Sequence, residues 1–148
     1  MDLRVCECCP TAAAMTSDGP IVAFRNRGPD EMRDIHVARL ENGKWTESKA
    51  VHNDGGSFPA CPVNGPALSA RGRDVAVAWY TGVNVEPKSY VAFSSDAGRT
   101  LGSPILIDGN GSRGSGLRTQ SVFSLAARRE YVGPWRDARL RAGGQKTC

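Results

Sequence analysis

A segment of about fifty residues occurs twice in this chain. Cys9-Pro10 opens the first copy and Cys61-Pro62 the second, 52 positions later. Val22-Ala23-Phe24 is matched by Val77-Ala78-Trp79 at an offset of 55, and His36-Val37-Ala38-Arg39 by Tyr90-Val91-Ala92-Phe93 at 54. Gly43, after Glu41-Asn42, answers Gly98, after Asp96-Ala97, again at 55. An offset that holds across four landmarks means one supersecondary unit used twice.

The unit reads as a small β-sheet. Apolar runs at residues 20–24, 34–40, 74–80, 89–93 and 104–107 are punctuated by turn-forming pairs such as Gly28-Pro29, Asp54-Gly55-Gly56 and Gly65-Pro66. Short runs bounded by such pairs are strand-and-turn sequence. Val75, Val77 and Trp79 alternate with Ala76, Ala78 and Tyr80, the period of a strand with two distinct faces. Repeated antiparallel sheets of this size stack as blades of a propeller. The expectation is an all-β fold with two blades, at about 5–57 and 58–108, within a unit of residues 5–108. Closed propellers have about four to eight blades, so the chain is expected to be part of a larger propeller. No run is long enough to span a membrane.

The second copy carries the most specific motif. Ser94-Ser95-Asp96-Ala97-Gly98-Arg99-Thr100-Leu101 fits S-x-D-x-G-x-T followed by a large apolar residue. The serine and aspartate oxygens can accept from backbone N–H groups of the turn, and Gly98 can take a left-handed conformation. The pattern resembles the Asp-box of the sialidase (neuraminidase) family and its bacterial-neuraminidase repeats, with Leu101 where that family usually has an aromatic residue. There the motif joins the third and fourth strands of a blade and stabilises a turn away from the active site. The resemblance therefore implies a structural role for Ser94, Asp96, Gly98 and Thr100. In the first copy Glu41-Asn42-Gly43-Lys44-Trp45 keeps the glycine and the aromatic but not the serine and aspartate.

The same resemblance implies an exo-sialidase-like glycoside hydrolase, and it can be followed residue by residue. In the family an Arg-Ile-Pro type motif supplies one of three arginines that grip the substrate carboxylate, a group well matched by a guanidinium. Here Pro10 is retained and Cys8 stands where the arginine belongs. The second-strand pattern ends at Arg25, and Asp30 takes the place of the family's acid/base aspartate, with Glu31 and Asp34 close by. Arg25 and Arg27 are the matching candidates for substrate contact; the alternative for all three residues is a solvated loop turning at Gly28-Pro29. The family's tyrosine nucleophile, its glutamate partner and the remaining triad arginines belong to later blades. The chain by itself is therefore expected to be inactive. The alternative is a non-catalytic propeller module that binds a glycan or a protein through its loops. No cofactor is implied; the partners implied are a glycan ligand and the remaining blades of a parent protein. Trp45, Trp79 and Phe93 sit on apolar strand patterns and are read as packing residues.

Cys6, Cys8 and Cys9 form a C-x-C-C cluster, and Cys61 lies one repeat along. A disulfide between the cluster and Cys61, buried thiols, and a metal site are all compatible with the residues. A metal reading lacks a four-ligand spacing, since neither His36 nor His52 has ligand neighbours in sequence. A disulfide would require an oxidising compartment. Met1-Asp2-Leu3-Arg4 does not open a secretory leader, so the compartment stays open between a cytoplasmic chain and an exported parent whose start lies upstream.

Residues 111–148 break the pattern. They carry a net charge of +6 against −2 for the first 110 residues, and the repeat landmarks stop after Ile107-Asp108. Three readings fit: a basic arm, a short helical cap, or out-of-frame translation of a GC-rich gene. The last best suits arginine-rich sequence without periodicity, and an irregular or disordered tail is expected. Nucleic acid is not an expected partner, because no aromatic stacking series or binding module accompanies the arginines.

Overall fold

The computed structural model describes residues 9–28, 31–54, 64–82 and 88–108. The sequence expectations on Asp30, Cys6, Cys8, Cys61 and the tail lie outside these residues. Among the described residues every regular element of the fold is a β-strand: β1 (Ala12–Thr16), β2 (Gly19–Arg25), β3 (Ile35–Glu41), β4 (Lys44–Trp45), β5 (Lys49–Ala50), β6 (Ala67–Arg71), β7 (Asp74–Thr81), β8 (Lys88–Ser94) and β9 (Ile105–Asp108). The fold is all-β and consists of two antiparallel sheets.

The first sheet runs β1-β2-β3-β4, with β5 also on β3; the second runs β6-β7-β8-β9. Each is a meander of sequential neighbours, the arrangement that short turns dictate. The fourth position of the first sheet is split. β4 pairs with the end of β3 through Leu40 and Trp45, and β5 with its start through His36 and Ala50. Residues 46–48 interrupt it, where Thr46 donates its N–H to the Arg39 carbonyl and accepts the Arg39 N–H on Oγ1. In the second sheet β9 is continuous apart from a register shift opposite Ser89/Tyr90.

Period-two alternation gives each sheet two faces. One face of the first, with Ala14, Ile21, Ala23, Ile35 and Val37, packs on the face of the second that presents Leu68, Ala70, Val75, Val77, Trp79 and Ala92. Ile21, Ala23, Val77 and Ala92 are fully excluded from solvent. Burying side chains the size of Val77 or Ile21 contributes about 1.5–3 kcal/mol each. Trp79 is 1% exposed and stacks on Tyr90 with centroids 5.7 Å apart. It is a packing residue, as its strand pattern indicated. The first strands β1 and β6 lie side by side across the junction.

At one end of the sheets lie the tight turns, at the other the longer connections. The turn end is stitched across the sheets: Ser17 donates its N–H to the Gly72 carbonyl at 2.8 Å. Asp18 pairs there with Arg99 and, at 3.4 Å, with Arg73, while Glu41 meets Arg39 at 2.8 Å and Arg99 at 3.2 Å. The guanidinium of Arg99 is the main reason the Asp18 carboxyl is held below its ordinary range.

Candidate functional site

The loop end holds the residues that the sequence resemblance assigns to ligand. Arg25, the last residue of β2, is 4% exposed. Its side chain crosses to the second sheet. Nε donates to the Asn64 carbonyl at 3.3 Å, Nη2 to Asn64 at 3.1 Å and Tyr80 at 2.8 Å, and Nη1 to the Arg33 carbonyl at 2.6 Å. A guanidinium has five N–H donors, and these bonds engage four of them with main-chain oxygens. The geometry is that of a clasp binding β2, the start of β3, β7 and the segment before β6. A charge buried this deeply holds its place because backbone dipoles surround it. Arg25 is thus buried and held by backbone carbonyls.

Arg27 stands beyond the strand with its side chain 51% exposed. Nε and Nη2 both reach Glu31 Oε1, at 3.0 and 2.7 Å, and Arg33 takes Glu31 Oε2 at 2.6 Å. Glu31 has a positive φ of 58°, and the two arginines, Arg27 foremost, hold its carboxyl below the usual range. Asn26 N–H to the Asp34 carbonyl and Gly28 N–H to the Met32 carbonyl close the loop beneath this triplet. Asp30 lies outside the described residues.

A second group converges on the same end. Asp54 donates its N–H to Asp34 Oδ1 at 3.2 Å. Burial pushes the Asp54 carboxyl above the ordinary carboxylate range, against the opposing pull of hydrogen bonds from Thr81 and Trp79, and the Asp34 charge adds to the rise. Exposed His52 lies over Trp79 and Tyr90, with centroids 6.4 and 6.5 Å away. Sequence reasoning named Asp34 only as a neighbour of Asp30 and did not reach Asp54. The Asp54-Gly55-Gly56 run reads as a turn, and the 20 residues separating the two aspartates leave no spacing to detect. Among the described residues no cluster of three or more His, Cys, Asp or Glu could hold a metal ion. Cys9 is half-buried, and its neighbour Pro10 packs so closely on Gly65 that a Cβ there would meet the Pro10 carbonyl. This brings the opening segments of the two repeats together.

The Asp-box candidates meet at the turn end. Ser94 Oγ donates to Asp96 Oδ1 at 2.7 Å and accepts the N–H groups of Asp96 and Gly98 at 3.2 and 2.9 Å. Asp96 also accepts the Thr100 N–H at 2.9 Å and the Thr100 hydroxyl at 2.6 Å. These bonds, those from Thr100 most of all, hold the Asp96 carboxyl far below its usual range. Gly98 has φ 82° and is seated against Ile21 and Arg39 of the first sheet, so that a Cβ would collide with Ile21 Cδ1. Leu101 packs against the shared core. The motif is therefore both a self-satisfied turn and a wedge between the sheets.

Comparisons with protein-family models, with curated proteins and with solved structures give no match to this chain.

Proposed function

We propose that the chain is part of a sialidase-like glycoside-hydrolase propeller and is catalytically incompetent as it stands. The observation that carries this reading is the Asp-box turn. Its serine, aspartate, glycine and threonine hydrogen-bond one another between β8 and β9, the third and fourth strands of their sheet, at the end opposite Asp34 and Asp54. That division supports a scaffold with turns at one end and ligand-facing loops at the other. The incompetence follows from the residues: Cys8 stands in place of a triad arginine, and Arg25 is occupied by backbone carbonyls.

The engagement of Arg25 gives weight to a second reading, a non-catalytic module that binds a glycan through the loop end. Two measurements on the purified chain separate the possibilities. A fluorogenic sialoside should release no more product than a protein-free blank; release that Asp30→Asn abolishes would overturn the incompetence. Titration with sialyllactose, followed by amide chemical shifts, should move residues 26–34 and 51–54 and leave residues 94–101 unmoved. Equal shifts with plain lactose would remove sialic acid from the reading.

A further inference from the structure

Three Asn-Gly pairs occur in the chain: Asn42-Gly43, Asn64-Gly65 and Asn110-Gly111. The last lies outside the described residues. An asparagine before glycine is open to attack on its own side chain, because glycine puts no Cβ in the path of its amide nitrogen. The two described pairs share that chemistry, but their surroundings differ. Asn42 and Gly43 form the tip of the turn between β3 and β4, where both are exposed. Open space surrounds Gly43, with nothing within 4 Å of the place a Cβ would occupy. Behind the tip, β4 meets β3 through Leu40 with Trp45 and Glu41 with Lys44. Opening the tip therefore disturbs little structure. Asn64 is held instead. Its carbonyl accepts Arg25 Nε at 3.3 Å and Nη2 at 3.1 Å, and the buried Gly65 is seated against the Pro10 main chain.

We propose that Asn42 is a site of spontaneous deamidation, and that the fold directs the reaction there and away from Asn64. The Gly43 amide nitrogen attacks Asn42 Cγ. A new N–C bond forms, the Cγ–Nδ2 bond breaks, and the side-chain amide leaves as ammonia with the proton of the Gly43 N–H. Water then adds to either carbonyl of the succinimide ring and opens it to aspartate or isoaspartate. Ring closure makes the Asn42-Gly43 peptide rotate out of its turn, in which both residues have positive φ, so the ease of opening decides between the sites. Isoaspartate inserts an extra backbone carbon and cannot keep a two-residue turn. Either product sets a like charge beside Glu41, whose carboxylate joins Arg39 and Arg99 where the sheets meet. Modification therefore loosens β4 at the corner it shares with the second sheet.

The test is to age the intact chain at mildly alkaline pH and map its peptides by mass spectrometry, with fragmentation that separates aspartate from isoaspartate. Asn42 should disappear at least about tenfold faster than Asn64, since hydrogen bonds to a guanidinium must break before Asn64 reacts. Isoaspartate should be the larger product. In denaturant the two rates should converge; a gap that survives there belongs to the local sequence and overturns direction by the fold. Gly43→Ala should slow the loss at residue 42 and leave Asn64 as it was, and an unchanged rate at residue 42 would count against attack by that nitrogen. Equal rates in the folded chain overturn the proposal. So does an Asn42 that persists in the folded chain while both asparagines convert in denaturant. Aspartate without isoaspartate would assign the loss to direct hydrolysis and sink the succinimide route.

Discussion

The turn after β3 and the turn after β8 occupy the same place in their sheets and are built on different principles. Asn42 and Gly43 have φ of 50° and 75° between the paired residues Glu41 and Lys44. This is the two-residue hairpin whose twist suits antiparallel strands. It is backbone geometry alone, and a Cβ on Gly43 would touch nothing within 4 Å. In the second sheet Ser94 ends one strand and Ile105 begins the next, a much longer turn, although the whole return lengthens by only two residues, since Val37 pairs with Lys49 whereas Val91 pairs with Ile105. The added length is held by side-chain oxygens and put to use against the neighbouring sheet. The difference teaches that a repeat can keep its register while one copy changes from making a bend to making an interface.

Substitutions at the two glycines should show the contrast at its largest. Gly98→Ala combines an unfavourable positive φ with an overpacked contact on Ile21 and should cost roughly 2–4 kcal/mol. Gly43→Ala carries only the backbone term and should cost about 1 kcal/mol. Chemical denaturation of both variants checks this, and equal losses would mean that the second turn does not wedge the sheets apart from its own conformation.

Asp96→Ala should come next, at about 1–3 kcal/mol, because the Thr100 and Ser94 partners lose a charged acceptor. The pH dependence has a definite sign. A carboxyl whose folded pKa is depressed contributes stability that is fully present above the usual carboxylate value of about 4 and is lost as pH falls below it. Wild type and variant should therefore converge in stability on acidification. A gap that stays constant would assign the effect to shape instead of charge.

The smallest effect belongs to the ion pairs that border the longer turn. Arg99→Ala loses partners in Asp18 and Glu41, but its side chain is 40% exposed. The expected change is smaller than for any of the other variants and should shrink in high salt. Melting curves at low and high ionic strength decide it.

Much of this contrast was legible in the residues. The repeat offset and the Asp-box located both sheets and the turn between β8 and β9. The strands read directly were those with β-branched and aromatic alternation, such as β7. Strands β1 and β6, Ala-Ala-Ala-Met-Thr and Ala-Leu-Ser-Ala-Arg, have no such pattern. They become strands by pairing with β2 and β7, and small side chains suit their place beside each other. The split of β4 from β5 was equally hidden, because it depends on Thr46 bridging to Arg39. Arg25 was legible as a strand-end arginine but not as a clasp, since its acceptors come from residues 33, 64 and 80, and carbonyls leave no mark in a sequence.

That clasp also sets an order of events during synthesis. The hydrogen bonds of the Asp-box turn span at most four residues, whereas the Arg25 bond to Tyr80 spans 55. A ribosome adds about 5–20 residues per second, so after Arg25 is made its last acceptor follows roughly 3–11 s later. For that interval the first sheet carries an unsheltered guanidinium beside an uncovered apolar face. The nascent chain is at its most vulnerable to aggregation then, and the arrival of Tyr80 ends the exposure.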